Sequence, residues 1–218
     1  MQKINYMKKI TLALVLGSFL LSTQTSFAQQ KNVTAKPQKA LGVIAKEAPN
    51  QEEMMKTWQA YATPTEVHKM LATSDGEWVG EVSHWMAPDD KAMVSKCRAT
   101  NKMVMGGRYQ QSEMKGEFMG MPFEGMSLLA YDNAQKIFIN SWVDNMGTGM
   151  MVLKGKWDDK TKSITFKGKC VDPMTGKDCE VREIFTIVDD NTQTMVMYGP
   201  RPDGKGEFKT MEINFKRG

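Results

Sequence analysis

Ser74-Asp75-Gly76-Glu77-Trp78-Val79-Gly80-Glu81 is the stretch on which the architecture turns. A polar turn delivers a Gly-x-Trp directly into alternating apolar and polar residues, the period of a half-buried strand. From there to the C-terminus the period stays near two, and turn clusters interrupt it at short intervals. They include Ala87-Pro88-Asp89-Asp90, Gly106-Gly107, Gly120-Met121-Pro122, Asp132-Asn133 and Pro173-Met174-Thr175-Gly176. The pattern predicts strands near 77–86, 92–104, 107–118, 123–131, 136–143, 149–157, 162–171, 178–188, 193–198 and 207–216. About ten antiparallel strands joined by short turns would leave two bare edges in a flat sheet. Closure into an all-β, up-and-down barrel removes both. A two-sheet sandwich needs longer crossovers than any connection here supplies.

Working back from the turn, Val67, Met70 and Leu71 form the apolar stripe of a short helix. Thr63-Pro64-Thr65-Glu66 reads as its capping box, with Glu66 reaching back. His68 falls off that stripe and is expected in solvent. Met54, Met55, Trp58 and Tyr61 make one apolar face of an earlier helix. Residues 51–73 thus form a short helical segment ahead of a barrel domain over 74–218. Residues 29–50 are rich in Gln, Lys, Ala, Asn and Pro, too poor in large apolar groups to offset their ordering entropy, and read as a flexible tether.

Residues 1–28 have the parts of a secretory signal: Lys3, Lys8 and Lys9, then the apolar run Ile10–Leu21, then Ser26-Phe27-Ala28. That run is about a dozen residues long, short of the roughly 20 that a membrane span needs. Cleavage after Ala28 and a periplasmic or secreted product are expected. The formal charge of +4 belongs mostly to this leader, because removing its three lysines from 29 bases leaves 26 against 25 acids. A near-neutral chain of this kind carries no electrostatic footprint for nucleic acid.

Gly76-Glu77-Trp78 opening the first strand and Arg217 ending the last resemble the signature of calycin or lipocalin-like barrels. That resemblance implies that Trp78 closes one barrel end with Arg217 packed over it. Met105-Gly106-Gly107-Arg108-Tyr109, Tyr131-Asp132, Trp142-Val143-Asp144-Asn145-Met146-Gly147-Thr148 and Tyr198-Gly199-Pro200 go further. From about Thr63 to Arg217 the chain resembles the exported bacterial family called domain of unknown function 1579. The resemblance implies a fold and no activity, so function must be argued from a site.

Hairpin arithmetic gives that site a shape, since strand parity propagates through turns of two or four residues. Asn140 and Trp142 share a face with Met151, then Phe166, Cys170, Cys179 and Glu183, and finally Tyr198. The opposite face holds Lys154, Lys156, Lys167, Lys169 and Arg182, which belong in water. Parity from Trp78 also turns His84 inward. His84, Asn140, Glu183 and Tyr198 are then polar groups in an apolar interior, the composition of a ligand pocket or of a structural network. Trp142, Met151 and Phe166 complete the expected lining. A small, largely apolar ligand follows as the expected partner, with a filled barrel that binds another protein as the alternative. An enzyme would need His84 and Glu183 adjacent as an acid/base pair.

No cofactor or metal is expected. The 18 methionines left after Met1 and Met7 lack a repeated ligand spacing and read as adaptable packing. The three cysteines complete no zinc set. The Pro173–Gly176 loop places Cys170 opposite Cys179, within reach of a disulfide, which leaves Cys97 as a free thiol.

Overall fold

The computed structural model describes residues 50–218; the expected leader, its cleavage site and nearly all of the expected tether lie outside the described residues. Two helices lead into ten strands. Helix α1 spans Gln51–Ala62 and α2 spans Glu66–Ala72. The strands are β1 Gly76–His84, β2 Met93–Val104, β3 Tyr109–Phe118, β4 Met121–Asp132 and β5 Ile137–Asp144. They continue as β6 Met151–Asp158, β7 Ser163–Asp172, β8 Lys177–Asp189, β9 Thr192–Pro200 and β10 Glu207–Arg217. Each strand pairs antiparallel with its sequence neighbours, and β1 pairs with β10, so the barrel is closed and up-and-down. No strand edge is left free to recruit another chain.

Alternation in the sequence becomes an inside and an outside. Trp78 and Val82 of β1, Phe138 of β5, Leu153 of β6, Ile164 and Phe166 of β7 and Ile213 of β10 are all buried. Lys154, Lys156, Lys167 and Lys169 on the opposite face are exposed. Glycines admit the larger rings. A Cβ at Gly155 would lie 2.8 Å from the Phe166 ring, and one at Gly125 would run into the indole of Trp142.

The register departs from simple parity at two places, between Ile187 and Asp189 and between Lys209 and Met211. The first corrects an expectation. The irregularity next to the β8–β9 turn shifts β9 by one residue, so Gln193, Met195 and Met197 pair with the inward residues of β8. Tyr198 pairs with Arg182 and lies on the outer face, with the guanidinium of Arg182 3.7 Å above its ring. Arg182 also forms an ion pair with Glu207. A one-residue shift exchanges the faces of every residue beyond it.

The helical segment differs from expectation as well. Thr63 precedes Pro64, and the proline ring disfavours a helical residue before it. Thr63 is extended (φ −89°, ψ 127°) and ends α1, while Thr65 caps α2. His68, not Glu66, reaches back: its Nδ1 accepts the backbone N–H of Thr65 at 3.0 Å. That contact turns the imidazole toward the barrel, where it is only 5% exposed and packs edge-on against Tyr131 with centroids 5.9 Å apart. Burial lowers its pKa, and Arg108 adds to the shift. The expected apolar face of α1 is left exposed, Met54, Met55 and Trp58 each by more than half.

Candidate functional site

The closed end of the barrel is built from the turn that opens β1. Trp78 Nε1 donates to the Ser74 carbonyl at 2.9 Å, and the guanidinium carbon of Arg217 lies 4.4 Å from the Trp78 ring centroid. Arg217 donates to the carbonyls of Thr73, Asp75 and Asp190 at 2.8, 2.8 and 2.9 Å. Three amides complete the network. Asn101 Nδ2 donates to Ser74 O at 3.1 Å, Gln110 Nε2 to Leu71 O at 2.6 Å, and Gln193 Nε2 to Ser74 Oγ at 2.7 Å. The turn and α2 are thereby tied to β1, β2, β3, β9 and β10, and Leu71 of α2 is packed into the core beneath.

Above this plug the barrel holds a partly open cavity of about 110 Å³. A single water needs about 10–15 Å³ by the same measure. Asn140, Trp142, Phe166 and Glu183 line it, together with Trp78. Glu183 is 6% exposed and flanked in the wall by Phe166 and Met197. Its carboxyl makes no hydrogen bond or ion pair among the described residues, and burial alone pushes its pKa up to about 7. Asn140 Oδ1 is also buried without a partner. Buried polar atoms are ordinarily paired, so two unpaired groups at one cavity mark a place where something else can bind.

The remaining expected site residues lie elsewhere. His84 faces inward at the opposite end, with its ring centroid 5.0 Å from that of Phe118, and burial lowers its pKa. The wall runs Glu183–Met197–Met211–His84 across successive strands, so the two groups stand three strands apart and form no acid/base pair. Met151 pairs with Trp142 on the neighbouring strand and packs into the core outside the cavity lining. Tyr198 faces outward, on the far side of the wall from the cavity.

Asn101, Gln110, Ser112, Gln193 and Met195 also line the cavity, and the alternation pattern does not single them out. A signal for Ser112 is present in the chain, because the two-residue turn Met119-Gly120 places it directly opposite Ser127. Gln193 and Met195 are hidden by the register shift.

Cys170 and Cys179 are register partners with Sγ atoms 2.7 Å apart, and both are thiols here. Cys97 is buried, and desolvation pushes its thiol up to about 11. Oxidised protein is expected to carry a Cys170–Cys179 bridge that adds about 2–3 kcal/mol. Non-reducing peptide mapping checks this; a bridge to Cys97 would contradict the register. Among the described residues no cluster of His, Cys, Asp and Glu could hold a metal ion, and no helix is long and apolar enough to cross a membrane.

The crystal structure of Rv2717c from M. tuberculosis superposes with a TM-score of 0.55 at 12% identity, covering 72% of this chain and 99% of that one. An S-type phycobiliprotein lyase, CPES from Guillardia theta, gives a TM-score of 0.46 at 11% identity, covering 78% and 98%. At these identities the likeness to Rv2717c is one of fold: a calycin-like barrel. No curated protein matches the chain. Residues 63–217 match the family model described as a protein of unknown function (DUF1579), and the chain therefore belongs to that family.

Proposed function

We propose that the barrel is a binding protein for a small, largely apolar molecule, held in the cavity with Glu183 and Asn140 as its polar contacts. The observation that carries this reading is the Glu183 carboxyl, 6% exposed at a cavity and without a protein partner. A carboxylate kept for the fold would be paired, because leaving it unpaired costs several kcal/mol. The aromatic wall supplies the apolar surface that such a ligand would bury. Thermal melting with and without small-molecule fractions extracted from the source cells tests the proposal. A fraction should raise the melting temperature of wild type, and Phe166→Ala should both lower the starting stability and weaken that shift. If no fraction shifts either melt, the barrel is a filled scaffold. The exposed apolar face of α1 favours that second reading, a module that docks another protein.

The leader supports a further part of the proposal, that the protein works outside the cytoplasm. The exported chain should begin at Gln29, which N-terminal sequencing checks; a chain retaining residues 1–28 would contradict it.

A further inference from the structure

The groups around the cavity are not neutral in their demands. Most N–H donors on its wall are already spent. Trp78 and Asn101 donate to Ser74 O, Gln193 to Ser74 Oγ, Gln110 to Leu71 O and, at 3.2 Å, to Asp75. Trp142 Nε1 donates to Asp144 Oδ2 at 2.8 Å. What remains turned to the cavity can mostly accept: the Glu183 carboxyl, the orphaned Oδ1 of Asn140, and the hydroxyls of Ser112 and Ser127, with the Asn140 amide N–H and the two hydroxyls as the donors left. Among the described residues no Lys, Arg or His lines it, and the five rings of Trp78, Trp142, Phe166, Phe185 and Phe215 do. Aromatic faces attract cations and carry no attraction for anions.

We propose that the cavity selects a small organic cation bearing at least one N–H donor, its charge set against Glu183 and its carbon skeleton against the rings. The inference rests on the ligand-site reading above and specifies its chemistry. Size limits the class. A dry, enclosed cavity of about 150 Å³ holds one benzene, and this one, at about 110 Å³ but only partly enclosed, suits a molecule of one small ring or a short branched chain. An anion would meet the Glu183 carboxyl with no positive group to compensate, and with only neutral donors, the Asn140 amide and two hydroxyls, to hold it. A neutral hydrocarbon would leave Glu183 and Asn140 as unpaired as they are now.

The charged surroundings point the same way. Phe166 and Met197 flank Glu183, and it is the one titratable group lining the cavity among the described residues. The side chains bonded to lining residues from outside, Asp75 on Gln110 and Asp144 on Trp142, bring no cationic group. Arg217 stacks on Trp78, but its guanidinium is engaged by three backbone carbonyls and lies outside the lining. With its pKa near 7, Glu183 is mostly protonated at pH 6. Docking a cation then ionises it, the carboxyl proton leaving to solvent as the N⁺–H···O⁻ bond forms.

Three six-membered rings of nearly equal size separate the possibilities: piperidinium, tetrahydropyran and cyclohexane. They are titrated into the full-length protein and its Glu183→Gln variant, followed by NMR shifts and, for piperidinium, calorimetry in two buffers of different ionisation heat. Piperidinium should bind wild type at least about tenfold more tightly than either neutral ring, since a charge-assisted hydrogen bond is worth more than one factor of ten. Glu183→Gln should erase that preference while leaving cyclohexane unchanged. Binding should release close to one proton at pH 6 and almost none at pH 8.5, a readout on wild type that needs no variant to fold. If cyclohexane or tetrahydropyran binds as tightly as piperidinium, the pocket stands and the cation inference is overturned. If none of the three binds, both the inference and the ligand-site reading fall.

Discussion

Trp78→Ala is expected to lower the stability of the barrel by about 3–5 kcal/mol, the usual cost of deleting a fully buried large aromatic side chain. The indole is 1% exposed and packs with Val82, Cys97, Ala99, Met114, Ile213 and Phe215. Its loss also orphans the Ser74 carbonyl from one donor and removes the surface on which Arg217 rests. The cavity lies directly against this ring, so the void would merge with space already open and leave little that can collapse to fill it. Urea unfolding followed by circular dichroism measures the difference. A loss below about 1 kcal/mol would show that the carbonyl bonds of Arg217, and not the indole, hold this end. Arg217→Ala, which spares the ring, should cost less than Trp78→Ala.

The second large effect concerns Glu183 and has the opposite sign. A carboxyl whose pKa rises from 4.5 unfolded to about 7 folded binds more protons in the folded state between those values. Stability is therefore greatest below pH 4.5 as far as this group is concerned, falls as pH rises through 7, and is flat above. The full loss is about 3 kcal/mol, since each pH unit between the two values is worth about 1.4 kcal/mol. Glu183→Gln keeps the volume and removes the charge. It should leave stability near its wild-type value at pH 4 and raise it by up to about 3 kcal/mol at pH 8.5, flattening the dependence between. Denaturant unfolding of both proteins at the two pH values provides the comparison. A variant less stable than wild type at pH 8.5 would mean that the carboxylate serves the fold through a partner. Stabilisation by removing a functional charge is the pattern expected where a residue is kept for binding at the expense of the fold.

Much of this arrangement is legible in the chain itself. Turns with an even number of residues preserve parity, and the connections from β4 to β8 are four, six, four and four residues long. Parity alone therefore puts Asn140, Trp142, Phe166 and Glu183 on one wall, where the structure has them. Tyr198 defeats the same arithmetic because the irregularity between Ile187 and Asp189 puts one extra residue, Val188, into β8 beside the two-residue turn Asp190-Asn191. Turn composition fixes where a hairpin reverses more tightly than how many residues it takes to do so. His68 escapes helical periodicity because α2 lies across the barrel end and has more than one covered side. A stripe of apolar residues does not report that second contact. The amides of Asn101, Gln110 and Gln193 are hidden for a further reason: polar residues facing inward break the alternation by which strands are recognised, and only their partners explain them. The Trp78–Arg217 pair is of another kind. It follows from a family resemblance, and the positions of the two residues at opposite ends of the barrel sequence give no contact by themselves.

The binding role of the cavity depends most on Glu183 facing open space without a partner. Its carboxyl can be followed directly, by ¹³C NMR of selectively labelled protein titrated across the neutral range, with Glu183→Gln assigning the resonance. A midpoint near 7 is predicted. A midpoint at or below the ordinary 4.5 would mean that a donor or a cation of the protein itself already holds the carboxylate, and the cavity would then have no claim to be a binding site.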